Sequence, residues 1–371
     1  MIGWEKPREN TIESLIHGIN FSDGVEFDLR LSEDEQLVLY HNSITEDNRF
    51  PECELADELP DYIKTFEELL SKREFTRELT ERGKFACIEL KPPHPSSGKA
   101  GGWIGGRKRL EHMQKMVDLV HESLGDIEIS TSSAVIYSFE KKILQTKRKE
   151  GGLKVSRLMP YLRQWGNEFS QRTLAIPSYV MNSLPRLMKK NKINDSPMLP
   201  CALEYLDGFT RFLNIGSTVG IDGKYLQKLN KIRRGYPVYV WPGKPELERK
   251  LWEAGLTGMS DDFSPELVTL PSGHARWSRP ATQPLSESEM AKLDSTPKEH
   301  HGEKIKEMKE EITPWNEFSD IERVEFTKYW IKKWGWKRRE EDILNEVSEN
   351  SLPWESVRIV GHRGSGKTHG W

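Results

Sequence analysis

Eight short apolar runs, each the length of a buried strand, constrain this chain most. They are Val25–Leu29, Phe85–Leu90, Ala134–Phe139, Val155–Met159, Phe212–Ile215, Val238–Trp241, Leu256–Met259 and Val357–Val360. Helical or loop stretches separate them, and strands alternating with helices favour a parallel sheet. Eight such strands favour closure into a (β/α)8 TIM barrel, an α/β fold in which reactive residues collect at the C-terminal strand ends. Leu37–Tyr40 extends the first run as a hairpin. Within Val25–Leu29 the acids Glu26 and Asp28 are two residues apart, so both project from one face.

Between Asn10 and the first strand, Ile12, Leu15, Ile16 and Ile19 have helical spacing, with Asn10 as the expected N-cap and Glu13 completing a capping box. The prolines and polar clusters between Pro160 and Phe209 predict an elaborated loop with short helices. From 265 to 356 the chain is loop-rich and then charged and helical, which predicts the last barrel helix plus a helical extension. The expected division is therefore 1–264, seven barrel strands; 265–356, the extension; and 357–371, the remaining strand.

A chain of 371 residues accommodates one large barrel with such an extension. A formal net charge of −3 gives no basic footprint for nucleic acid. Cys53, Cys87 and Cys201 are odd in number and lack metal-ligand spacing, which fits a reducing, cytoplasmic compartment. There is no apolar N-terminal run of the signal-peptide type and no transmembrane segment. Trp315, Trp330, Trp334, Trp336 and Trp354 make the extension aromatic, and Lys332, Lys333, Lys337, Arg338 and Arg339 interleave with them. Packing against the barrel is the expected role of these tryptophans, with weak contact to an anionic membrane surface as the alternative.

The strand ends carry chemistry. His362 and Arg363 follow Val357–Val360, Glu26 and Asp28 end the first run, His41 ends its hairpin, and Glu89 and Lys91 end Phe85–Leu90. Carboxylates converging on one mouth suit a hard divalent cation, Ca²⁺ or Mg²⁺, which a phosphodiester needs beside it. Two histidines on either side of phosphorus can take one proton and donate another.

Read from tail to head, the chain gives a strand, Gly-His-Arg-Gly, Glu-Asn-Thr, a helix, Glu-x-Asp on a strand, a second His, and Glu-x-Lys. That order resembles the glycerophosphodiester phosphodiesterase family in circularly permuted form, the first barrel strand being supplied by the C-terminus. Gly-Trp occurs at both 3–4 and 370–371, as a tandem duplication with a new start and stop would leave it. The resemblance implies Glu26, Asp28 and Glu89 as metal ligands with Glu9 beside them, His362 and His41 as acid and base, and Arg363 and Lys91 on the phosphate. It implies hydrolysis of a small-molecule glycerophosphodiester to sn-glycerol 3-phosphate and an alcohol. It extends over Tyr-Ile-Lys-Thr-Phe-Glu-Glu-Leu-Leu at 62–70, Val-Ile-Tyr-Ser-Phe-Glu at 135–140, and 236–263. Two departures stand out: His41 is followed by Asn42 where the family usually has Asp, and Trp241 is followed by Pro242-Gly243-Lys244 instead of Thr-Val-Asn.

Three alternatives share these residues. A phospholipase D-like lyase acting on lysophospholipids or sphingomyelin would use the same histidines and Glu-x-Asp. A non-catalytic barrel would bind without turnover, though five intact reactive side chains argue against it. Finally, Gly361–Thr368 matches GxxxxGK[ST], but a P-loop must open a helix and only three residues follow.

Overall fold

A computed structural model describes residues 4–147, 149–158, 173, 177, 183–207, 219–276, 285–313, 315–348 and 352–368. Its centre is a nearly closed barrel of eight parallel strands: β1 (Gly24–Leu31), β3 (Phe85–Leu90), β4 (Ala134–Ser138), β5 (Lys154–Arg157), β6 (Leu199–Ala202), β7 (Val238–Gly243), β8 (Thr257–Ser260) and β9 (Ile359–Gly361). β2 (Leu37–Leu39) pairs antiparallel with the end of β1, Leu29 opposite Leu39, as the hairpin extension. The spatial order is β5-β4-β3-β1-β9-β8-β7-β6, so the last strand in sequence lies between the first and the eighth. Gly24 stands opposite Val360 on one side of β9, and Met259 opposite Val360 on the other.

Alternation sorts the side chains. Val25, Phe27 and Leu29 join Ala86, Ile88 and Leu90 in the layer under the helices, while Phe85, Cys87, Val135, Tyr137, Tyr239, Met259 and Val360 fill the barrel interior. The outer layer is covered by α1 (Ile12–Phe21), α2 (Phe66–Leu70), α3 (Arg73–Thr80) and α4 (Gly106–Gly125). On the opposite side α5 (Leu184–Ile193), α6 (Lys224–Arg233) and α7 (Glu248–Glu253) pack over β6 to β8.

The sixth strand corrects the sequence reading. Phe212–Ile215 lies outside the described residues, and Leu199–Ala202 runs beside β7 instead, Leu199 opposite Val238. Pro200 concealed it, because proline cannot donate to a ladder and normally argues against a central strand. Among the described residues β6 has a ladder on one side alone, and the seam to β5 is bridged by the Ser156 hydroxyl donating to the Met198 carbonyl at 3.1 Å. The α1 cap is also corrected. Thr11 is the N-cap, accepting from Ser14 N, because Asn10 adopts φ 57° and turns its amide toward the barrel.

The extension contains α8 (Glu287–Ser295), α9 (His301–Glu310), α10 (Asp320–Trp334) and α11 (Glu340–Ser348). Trp315, Trp330, Trp334 and Trp336 are all buried and stack with one another, and Trp334 meets Trp252 of α7 edge-on, the Trp252 carbonyl accepting from the Trp334 indole at 3.2 Å. Lys333 lies over the Trp252 ring, and Arg338 is held by Glu346 and Glu355. This aromatic face is thus a packed brace, which leaves none of those four rings to a lipid surface.

The brace delivers the chain to β9. Asp23 clamps its start: the Asp23 amide donates to Ile359 O, and Asp23 Oδ2 accepts from Ile359 N, both at 2.8 Å. Arg358, fully buried, closes the barrel floor by donating to Tyr239 OH at 2.8 Å and lying over Phe85. Deleting 357–371 would remove these contacts and leave β1 and β8 with open edges. The truncated chain should aggregate or lose its cooperative thermal transition; a soluble product melting like the full chain would refute the central place of β9.

Candidate active site at the barrel mouth

The parallel register that sets Asp28 opposite Glu89 also turns Glu26 inward, so three buried acids meet at the mouth. One oxygen from each of Glu26, Asp28 and Glu89 lies within 4.8 Å of the other two. The Lys91 ammonium reaches Asp28 Oδ1 at 3.0 Å and Glu89 Oε1 at 2.5 Å. Three hard oxygen donors on rigid strands are a donor set for a divalent cation such as Ca²⁺ or Mg²⁺.

The turn after β9 completes the site. His362 N donates to Ser260 O, and Arg363, at φ 53°, donates its amide to Glu26 Oε2 at 2.9 Å. The buried Arg363 guanidinium donates to Glu9 Oε1 at 2.8 Å and approaches Asp28 Oδ2 at 3.5 Å. Asn10 then fixes Asp28 from both sides, its amide nitrogen donating to Oδ2 at 2.9 Å and its oxygen accepting from the Asp28 amide at 3.0 Å. Gly364 and Gly366 have φ of +90° and +106°. A side chain would meet Ser14 at the first and the Asp261 carbonyl at the second, so the turn requires glycine at both.

The histidines have different supports. His362 Nδ1 donates to Asp261 Oδ1 at 2.5 Å, a tautomer fixed by a carboxylate that can only accept, and Nε2 lies 3.7 Å from Glu26 Oε2. His41, held at its carbonyl by Arg30, places Nδ1 2.9 Å from the Asn42 amide oxygen. The Asn that departs from the family pattern therefore still orients the ring, without a negative charge.

Burial, with Asp28 and Glu89 alongside, pushes the Glu26 carboxyl well above the usual carboxylate range. Burial raises Glu89 to about 7, with Lys91 opposing and Asp28 adding to the rise. Burial would raise Asp28 as well, but Lys91, His41 and Arg363 outweigh it and hold that carboxyl well below its ordinary value. Burial lowers His362 against the pull of Asp261, and burial with Arg363 and Lys91 lowers His41 much further.

Of the eight residues singled out from sequence, Glu26, Asp28, Glu89, Lys91, Arg363 and His362 form one contiguous set, and His41 lies within electrostatic reach of Asp28, Arg363 and Lys91. Glu9 is placed differently from the expectation. Among the described residues it is not in the acid cluster, because its oxygens accept from Arg363 and from the Thr368 amide. Two participants were missed. Asn10 stands where a cap is expected, and Asp261, an acid just beyond the end of β8, belongs to none of the motifs.

The P-loop reading fails on its amides. Arg363 N is committed to Glu26, Gly364 N to Glu26 O, Ser365 N to Ser14 Oγ and Thr368 N to Glu9, so this turn has no open phosphate cradle at those four positions.

Residues 4–96 match the model of the Glycerophosphoryl diester phosphodiesterase family. No curated protein is significantly similar to the chain in sequence. Similar solved structures include a glycerophosphodiester phosphodiesterase from Thermotoga maritima, at 18% identity over 66% of this chain and 85% of that one, with a TM-score of 0.41. A second is a phosphodiesterase from Oleispira antarctica in complex with the product sn-glycerol-3-phosphate, at 14% identity over 69% of this chain and 88% of that one, with a TM-score of 0.46. The matched segment 4–96 contains Glu9, Asn10, Glu26, Asp28, His41, Glu89 and Lys91, and over that segment the chain is similar to the glycerophosphodiester phosphodiesterase family.

Proposed function

We propose that this chain hydrolyses glycerophosphodiesters to sn-glycerol 3-phosphate and an alcohol, with a divalent cation and two histidines. The observation that carries the reading is the juxtaposition of His362 with the acids of β1 and β3, a residue from the far end of the chain beside Glu26. Glu26, Asp28 and Glu89 would hold the cation, and two of those three carboxyls sit high because burial, with the neighbouring acids adding to it, disfavours their charged form. A bound Ca²⁺ or Mg²⁺ supplies positive charge next to the phosphate oxygens.

Arg363 and Lys91 lie against the same acids and are suited to bind a phosphodiester. An imidazole removes the proton from the attacking oxygen; a new P–O bond forms as the bond to the alcohol breaks, and the other imidazole protonates the departing alkoxide. With water as the nucleophile this gives sn-glycerol 3-phosphate directly, and with the glycerol 2-hydroxyl it gives a cyclic phosphate that a water then opens to the same product. Asp261 stabilises a protonated His362, whereas Asn42 offers His41 no charge, so we assign the acid to His362 and the base to His41. We also infer that the chain is a circular permutation of the family barrel, a reading supported by β9 lying between β1 and β8. Cys53, Cys87 and Cys201 are all unpaired, which supports a reducing compartment, and no helix among the described residues is long and apolar enough to cross a membrane.

A panel of glycerophosphodiesters and lysophospholipids assayed with Ca²⁺, Mg²⁺ or EDTA tests the activity. Chelation should abolish turnover, and His41→Ala or His362→Ala should lower kcat by roughly 10²- to 10⁴-fold with a smaller change in KM. Full turnover in EDTA would remove the metal from the mechanism, and near-normal turnover by His362→Ala would remove the C-terminal turn from the site.

Glu89 gives a pH prediction. Its folded value of about 7 lies above the unfolded value, so the folded metal-free protein binds more protons between them. The stabilisation from this group is complete below the unfolded value and is lost as pH rises through about 7. In EDTA, wild-type denaturant midpoints should therefore fall relative to Glu89→Gln between pH 5 and pH 8, and parallel curves would contradict the assignment. For the permutation, joining residue 371 to residue 5 and opening the chain near Ser351 should give a folded, active protein; an unfolded product would count against it.

A further inference from the structure

Eight large hydrophobic side chains are exposed among the described residues, and two of the most exposed are adjacent: Trp103 at 68% and Ile104 at 94%. They form the tip of the connection from β3 to α4, which leaves the barrel just after Glu89 and Lys91 and so lies on the mouth side. The tip is a tight turn, with the Gly102 amide donating to Lys99 O and the Ile104 and Gly105 amides donating to Gly101 O. Gly101, Gly102, Gly105 and Gly106 all have positive φ. Turn tips normally carry Asn, Asp or Ser. This one carries an indole and a sec-butyl group between two glycine pairs.

The base of the connection is held firmly. Buried Arg109 donates to Pro93 O at 2.8 Å and Gly102 O at 2.9 Å. Buried Arg30 donates to Pro92 O at 3.1 Å and to the His41 carbonyl at 2.9 Å. Phe50 stacks on His94, and the Trp103 ring meets His94 edge-on at 6.4 Å. A projecting apolar tip on a fixed base is thus tied through Arg30 to the backbone of a proposed catalytic residue.

Charge points to the occupant. From Pro92 to Leu110 the chain has Lys99, Arg107, Lys108 and Arg109 and no acid. Arg109 is consumed internally, and Lys99 and Arg107 make surface pairs with Glu33 and Glu111, which bind little. The neighbouring connection carries Glu46, Asp47, Glu54, Asp57, Glu58 and Asp61, so contact with an anionic surface is confined to the tip. Two apolar residues at a point are too small for a stable protein interface, which needs on the order of 1,000 Å². They suit the headgroup region of a bilayer, where tryptophan and flanking basic residues settle.

We propose that the Gly101–Gly106 turn is an interfacial anchor that inserts Trp103 and Ile104 into an anionic lipid surface and turns the barrel mouth toward it. The binding is independent of catalysis; only the claim that it serves turnover of membrane-borne phosphodiesters rests on the function proposed above.

The test is co-sedimentation of the full chain with vesicles of phosphatidylcholine alone or with 30% phosphatidylserine, at low and high salt. Wild type should partition about tenfold better into anionic vesicles, with the preference lost in salt. Trp103→Ala combined with Ile104→Ser should reduce binding at least about tenfold, and Arg107→Glu with Lys108→Glu should abolish the anionic preference. Thermal melts and turnover of a soluble glycerophosphodiester should match wild type in both variants, while turnover of vesicle-borne lysophospholipid should fall in the first. Absent binding to anionic vesicles, or equal binding by wild type and the first variant, would overturn the anchor. So would concentration-dependent dimerisation in ultracentrifugation that the first variant loses, since the tip would then seat a second copy. A wild type that binds vesicles but turns over no phosphodiester would instead defeat the catalytic reading and leave the anchor standing.

Discussion

Everything at the mouth depends on Arg363. Its guanidinium is buried between Glu9 and Asp28, and its amide is spent on Glu26, so one residue after the last strand touches three acids from the other end of the chain. A buried cation so placed is stable only while its partners remain, and removing one partner of such a pair typically costs about 3–5 kcal/mol. The dependence is mutual. The acids need Arg363 and Lys91 to lower their repulsion, and the C-terminal turn is held by the same acids, with Glu9 gripping both Arg363 and the Thr368 amide. Glu9 therefore contributes as the clasp that seats the turn, which explains why a residue adjacent to the site in sequence lies outside the acid cluster in space.

Charge decides the next level. Glu9, Glu26, Asp28, Glu89 and Asp261 face Arg363, Lys91 and Lys367 in a volume that excludes most water. The imbalance is distributed unevenly. Asp28, with Lys91, Arg363 and Asn10 all on its oxygens, keeps its charge, whereas Glu26 and Glu89 are the groups pushed toward protonation. A site in this condition has one firmly ionised carboxylate to attract a cation and two that can follow once the cation is present. Asn42 belongs to the same economy of charge: an Asp there would add a sixth acid, and the amide orients His41 without doing so.

How far the sequence revealed this follows from how local each signal is. Strand alternation is local, and it located β1, β3, β4, β7 and β8 to within a residue or two, as well as the inward direction of Glu26 and Asp28. β6 was hidden because its tolerance of Pro200 comes from lacking a ladder on the seam side, a tertiary fact. Asn10 looked like a cap because short polar residues before a helix usually are; its real partner, Asp28, is reached only after the chain has turned back through β1. Asp261 lies 101 positions from His362, a separation at which no spacing rule operates.

The position of β9 links the brace to the site. A parallel barrel strand must be entered from the floor, but β8 ends at the mouth, so the chain has to cross the full height of the barrel before Ile359 can add to the sheet. The extension makes that crossing, and its tryptophans are buried because it must pack on α7 and on the outer face of β9 to remain there. It arrives at Arg358, which closes the floor, and four residues later His362 emerges at the mouth. A connection between a strand and its following helix always lies on the mouth side of such a barrel. If that connection is the one cut, both resulting ends must lie at the mouth, each beside the chemistry. Thr368 contacts Glu9 and Lys6 contacts the Asp261 carbonyl, which fits the permutation proposed above. The packing of the extension and the geometry of the histidine thus both follow from the place of β9 between β1 and β8.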